Sequence, residues 1–210
     1  MTGPLSCLIG HAARVRRTLK FLGGLMPRTE PSLEQIEGAI AELLRTEEIA
    51  TLAVLDGRGA PSASTMHIAA DGLRVYMHTF AKTRKRLEMV ADERVSYVVN
   101  HLPSGGYEER FETRSLQVKG RAALVAAPDE IALAARLSRA QFPWAAGSGM
   151  FDQVKSPEAG QQAFFRIDPV QAVWADHRVG LMWRTLLDFT ADGSGLSAMR
   201  PYADLFTSRS

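Results

Sequence analysis

The residue types that could do chemistry crowd into one short run, His78-Thr79-x-x-Lys82-Thr83-Arg84-Lys85-Arg86. An extended segment ends at Thr79, and a short basic helix starts within about four residues. The first turn of a helix has free backbone N–H groups and the positive end of the helix dipole. Thr83 adds a hydroxyl, and Lys82, Arg84 and Lys85 add charge. Together they form a phosphate cradle that needs no glycines. Taken alone, the run reads more readily as a solvated basic helix.

Other chemistries lack their motifs. The sequence has no glycine-rich phosphate loop, no His-Glu-x-x-His and no nucleophile elbow. His11, His67, His78, His101 and His177 include no i, i+4 pair, so no metal site is expected. Cys7 is the only cysteine, which excludes an internal disulfide and fits a reducing cytoplasm. A net charge of +2 is too small to indicate nucleic-acid binding. No apolar run reaches the ~18 residues of a membrane span.

The elements that would position the basic run can be read from periodicity. Ser32 and Gln35 form a capping-box pattern ahead of an amphipathic helix over Leu33 to Arg45. Ile49 to Leu55, Pro61 to Ala70 and Leu73 to Thr79 read as strands. The turns Asp56-Gly57-Arg58-Gly59 and Asp71-Gly72 join them into an antiparallel meander. Lys82 to Val90 is the short helix. Arg94 to Asn100 is a strand, and His101 to Glu112 a polar loop. Thr113 to Val125 is a long strand with a bulge expected at Gly120. Pro128 opens a helix that runs to about Ser138.

Phe142 to Gly160 is irregular. Ala163 to Ile167 and Val170 to Trp174 read as two further strands, and Leu181 to Phe206 adds one more strand and a terminal segment. About six strands joined by tight turns exclude a doubly wound parallel sheet. The expected fold is therefore mainly β, a closed or split antiparallel barrel of six strands with peripheral helices. Residues 1–30 read as an N-terminal extension and 31–210 as the barrel domain. The basic stretch His11 to Lys20 reads most readily as a solvated helix face, with a membrane-surface helix or a targeting remnant as the alternatives.

Several pieces, in order, carry a family resemblance. They are Ala50-Thr51-Leu52-Ala53, Asp56 to Pro61, Thr79, Thr83-Arg84-Lys85, Asp92-Glu93-Arg94-Val95-Ser96 and Val118-Lys119-Gly120-Arg121-Ala122. Over Leu33 to Trp174 the chain resembles the pyridoxamine 5′-phosphate oxidase-like split-barrel family. The resemblance implies a homodimer with flavin sites at the subunit interface. Thr83, Arg84 and Lys85 would hold the cofactor phosphate. Ser64, Thr65, Met66 and His67 would line the flavin ring, with His78 and Thr79 beside it. Ser115 and Gln117 would come from the partner subunit.

The family's true oxidases carry Trp-x5-Arg-x-His-x-Arg near their end. The same spacing here lands on Trp174, Gly180, Met182 and Arg184. The flavin-side pair, Trp174 and Arg184, is present. The substrate-side pair is replaced by groups that cannot grip a phosphate. As a residue, Trp174 fits core packing equally well.

The resemblance thus implies an FMN-dependent oxidoreductase acting on a small organic substrate other than the vitamin. The deazaflavin F420 is the alternative cofactor, with Arg86 and the group Arg14, Arg16 and Arg17 as extra cations for its anionic tail. A further alternative is a protein that binds flavin or haem without turnover, with His101 or His177 as haem ligand. Phe142, Trp144 and Phe151 would cover the barrel end or line a pocket over the flavin.

Overall fold

The computed structural model describes residues 30–145, 147–151 and 161–202. Cys7, His11, Arg14, Arg16, Arg17 and the rest of the stretch 1–29 lie outside the described residues, as does the chain beyond 202. Helix α1 spans Leu33–Thr46. Its capping box is formed: Gln35 N–H donates to Ser32 Oγ at 3.2 Å, and Ser32 N–H to Gln35 Oε1 at 2.9 Å. The i, i+4 spacing puts Ile36, Ile40 and Leu44, with Leu43, on one buried face.

Strands β1 (Ile49–Leu55), β2 (Pro61–Asp71) and β3 (Arg74–Phe80) form the expected meander. In the first turn, Asp56 Oδ1 accepts the N–H groups of Arg58 and Ala60, both at 2.8 Å, and Gly59 adopts φ +78°. Helix α2 (Arg84–Ala91) follows, then β4 (Arg94–His101), β5 (Arg114–Leu124) and helix α3 (Pro128–Gln141). Strands β6 (Gln162–Asp176), β7 (Arg184–Phe189) and β8 (Leu196–Pro201) complete the described chain.

The sheet order is β3-β2-β1-β4-β5-β6-β7-β8, and β3 also pairs with β6. That pairing closes six antiparallel strands into a barrel, with β7 and β8 continuing the sheet outward. Two expectations change in this region. The segments read as two strands are one strand of fifteen residues, and the tail supplies two strands where one was expected. Pro169 falls inside β6, where the β5–β6 register shifts between Lys119 and Gly120, so its missing N–H costs the ladder little. One half of β6 pairs with β3 and the other with β7, which is why the strand is long.

The barrel is filled by alternate residues of every strand, among them Leu52, Ile68, Met77, Tyr97, Leu116, Phe165 and Trp174, with α1 packed against them. A second core lies outside the barrel wall. There α3, Phe142 and Phe151 cover Ala69, Tyr76 and Phe164. Gln141 fastens this cover. Its side chain donates to the carbonyls of Leu44 and Glu47 and accepts from Ala70 N–H. Among the described residues no helix is long and apolar enough to cross a membrane.

The bulge gives a direct test. A Cβ at Gly120 would lie 2.7 Å from the carbonyl oxygen of Asp168, a backbone atom that cannot step aside. Gly120→Ala is expected to lower stability by about 1–3 kcal/mol, seen as a lower urea midpoint at unchanged slope.

Candidate functional site

Thr83 is the N-cap of α2, and its side chain caps no backbone group of the helix. Its hydroxyl is used elsewhere, on Phe80 O at 3.0 Å and Thr79 Oγ1 at 2.9 Å. The first intrahelical bond is Leu87 N–H to Thr83 O, so the amides of Arg84, Lys85 and Arg86 precede any helical acceptor. The cations of the first turn bend back onto β2. Arg84 Nη2 donates to Ser62 Oγ at 3.1 Å. Lys85 Nζ lies 3.5 Å from Thr65 O and 3.2 Å from Met66 Sδ. The structure therefore gathers Thr79, Thr83, Arg84 and Lys85 around the outer end of β2. The donor set of free amides, two cations and hydroxyls fits a phosphate monoester.

Along β2, alternation sends Met66 inward, where it is buried, and Thr65 and His67 outward. Ser64 pairs with Leu52 and is half-buried. His67 meets His78 of β3 with ring centroids 6.5 Å apart. Phe142 and Trp144 approach His67 at 5.3 and 5.4 Å, and Phe151 and Phe164 approach His78 at 5.2 and 6.3 Å. Phe142, Trp144 and Phe151 thus stand over the two histidines on the barrel wall, not across its end. Burial, then the neighbouring His67 and Lys85, lowers the His78 pKa to about 4, so this imidazole is neutral at pH 7. His67 Nδ1 is buried without a hydrogen-bond partner.

The other expected residues lie apart from this cluster. Ser115 and Gln117 face outward on β5. Gln117 shares a cross-strand row with Val98, Thr51 and Thr65, three strand spacings from β2 or about 14 Å. Arg184 pairs with Ala175, which pairs with Ser115, and its guanidinium stacks on Tyr202 at 4.3 Å. Trp174 faces the opposite way, into the barrel core, and is 1% exposed. It is not brought to the face that carries the rest. Gly180 and Met182 occupy the β6–β7 turn, where Met182 is exposed with φ +60°. A separate outward groove of about 470 Å³ crosses β1, β4 and β5 toward the β1–β2 turn, lined by Ala53, Leu55, Pro61, Ser96, Val170 and Arg121, among others.

The histidines considered for haem are each held through Nδ1. His101 Nδ1 pairs with Glu47 Oε1 at 2.7 Å, and His177 Nδ1 lies 3.2 Å from Arg110 O. Two members of the cluster were not read from the sequence, Phe164 and Glu88. The Arg84-x3-Glu88 spacing was the available signal for Glu88.

Comparisons with known proteins follow the fold. The family described as pyridoxamine 5′-phosphate oxidase matches residues 36–173. No curated protein matches the sequence at a significant level. A conserved hypothetical protein from Mycobacterium tuberculosis is similar in structure at TM-score 0.56 and 22% identity, over 74% of this chain and 91% of that one. A heme binding protein from Mycobacterium smegmatis gives 0.57 at 16% identity, over 79% and 61%. ChuZ from Campylobacter jejuni gives 0.60 at 12%, over 84% and 68%. Identities this low bear on the fold alone.

Proposed function

The chain belongs to the pyridoxamine 5′-phosphate oxidase family, and from that premise we propose that it is an oxidoreductase binding FMN at the β2–α2 cluster. The observation that carries this reading is the convergence of Arg84, Lys85 and the free first turn of α2 on the outer end of β2. A bound flavin supplies the hydride-transfer chemistry. The chain supplies the rest. Arg84, Lys85 and the amides of α2 neutralise the phosphate. Thr83 and Thr79 hold each other in place beside it. The backbone of Ser64, Thr65 and Met66 floors the site along β2, with Thr65 turned outward and Met66 inward, and His67 and His78, under Phe142 and Phe151, keep its far side dry.

The chain acts as a homodimer in this reading. Ser115, Gln117 and Arg184 lie too far from the cluster of their own chain to serve it, and a second copy would deliver them. The substrate is a small organic molecule without a phosphate, because Gly180 and Met182 provide no anion grip. F420 is the competing cofactor. Its longer anionic tail would draw on Arg86, with Arg14, Arg16 and Arg17 outside the described residues. Haem is the second reading, with His101 and His177 each held through Nδ1 by a carboxylate or a carbonyl, as a ligating histidine is.

The test is a visible spectrum of the purified protein followed by fluorescence-quenching titrations with FMN and F420. Micromolar binding of FMN is expected, weakened on the order of a hundredfold in the Arg84→Ala/Lys85→Ala double variant, since charge-assisted bonds are the strong ones. Tighter binding of F420 would transfer the reading to that cofactor. Binding of neither, with a Soret band on adding haemin, would sink it.

A further inference from the structure

Glu88 sits one helical turn along from Arg84, on the face of α2 turned toward the barrel, and is 6% exposed. Both carboxylate oxygens are buried, and neither accepts a hydrogen bond from the described residues. Arg84 Nε lies 3.2 Å from Glu88 Oε1, an ion pair outside hydrogen-bond geometry. Arg86 Nε is also buried without a partner, so it does not satisfy those oxygens. Burying a carboxylate that receives no hydrogen bond is costly. Its pairing with an arginine that is 79% exposed returns little stability. A glutamine would fill the same space without the charge.

What the arrangement does achieve is orientation. The guanidinium is held at Nε by Glu88 from α2 and at Nη2 by Ser62 from β2. An arginine side chain otherwise explores many rotamers, and fixing its fork in advance removes that cost from ligand binding. Arg84 itself opens α2, whose first three amides precede any helical acceptor.

We propose that Glu88 is a positioning residue that sets Arg84 for a phosphate monoester, so that the site selects a phosphorylated ligand over its unphosphorylated form. This rests on the phosphate-cradle reading of α2. The competing physical effect is repulsion, since a carboxylate near a dianion lowers its affinity. The two effects have opposite signs, which makes the substitution Glu88→Gln decisive.

The experiment follows the backbone amides of Arg84, Lys85 and Arg86 by NMR in the full chain, titrated with inorganic phosphate, FMN and riboflavin. Glu88→Gln is expected to weaken phosphate and FMN about tenfold and leave riboflavin unchanged, the size of one lost charge-assisted contact. If Glu88→Gln fails to fold, Ser62→Ala removes the other anchor and is expected to give the same signature. Equal or tighter phosphate binding in the variant overturns the proposal. So does a loss shared equally by FMN and riboflavin, which would mark a structural role. Wild-type amides that respond to phosphate, without binding either flavin, would sink the flavin reading and leave this one standing. Amides that ignore phosphate overturn both.

Discussion

Trp174→Ala is expected to destabilise the protein by about 4 kcal/mol, the range found when a large aromatic is removed from a packed core. Trp174 is 1% exposed, in register with Leu116 on one side and Thr185 on the other, and points into the barrel. It also walls a cavity of about 400 Å³ bounded by Ile36, Ala39, Asp176 and Arg178, so its loss would join that space to the core instead of letting the barrel collapse. Trp174→Phe keeps most of the volume and is expected to cost under about 2 kcal/mol. Denaturant unfolding of the three proteins measures this ordering. The same pair separates the two roles considered for the residue. A core residue predicts that Trp174→Phe binds FMN as the wild type does. A tenfold weaker FMN affinity with stability intact would place Trp174 against the cofactor instead.

This residue marks where local pattern stops informing. The motif that selected Trp174 and Arg184 is a spacing, and a spacing does not say which face of a strand a residue takes. Register does. Leu116, Trp174 and Thr185 form one cross-strand row and Ser115, Ala175 and Arg184 the next, so neighbours in the motif end on opposite sides of the sheet. Elsewhere the local signals were enough. Ser32 with Gln35, Asp56 with Gly59, and the bulge at Gly120 each act over a few residues, and each forms as read. Pro169 is tolerated within β6 because the penalty for proline in a strand depends on its partner, and the partner here is a bulge about fifty residues away in sequence.

The candidate site divides along the same line. Thr79, Thr83, Arg84 and Lys85 are close in sequence, and the turn that brings the helix back onto β2 is short, so their gathering was legible. Glu88 was missed because its burial depends on α2 packing against β1 and β5. The separation of Ser115 and Gln117 from Thr65 follows from strand order, β2-β1-β4-β5, which no local pattern in β5 encodes.

A second large effect concerns acid. His78 is held neutral, its pKa lowered to about 4 by burial first, then by the neighbouring His67 and Lys85. Above pH 6.5 the ring is neutral in both folded and unfolded chains and contributes no pH dependence. Between 6.5 and 4 the unfolded chain takes up a proton that the folded one refuses. Stability therefore falls with pH across that window, by about 3 kcal/mol in total at 1.36 kcal/mol per unit. The carboxylates act lower. Asp92, bonded to Arg94, and Asp192, bonded to Thr190, are held near 2, so their support is present above 3.8 and is lost only as pH falls toward 2. His78→Phe, which keeps an aromatic ring against Phe151 and Phe164, is expected to flatten the stability profile between pH 6.5 and 4 and leave the steeper fall below 4. A variant whose profile overlays the wild type would refute the assignment. Because Lys85 contributes to the depression, an anion bound there offsets part of the repulsion. Adding FMN is then expected to move the His78 titration upward, read directly from its ring proton shifts, and this ties the acid lability of the barrel wall to occupancy of the phosphate cradle.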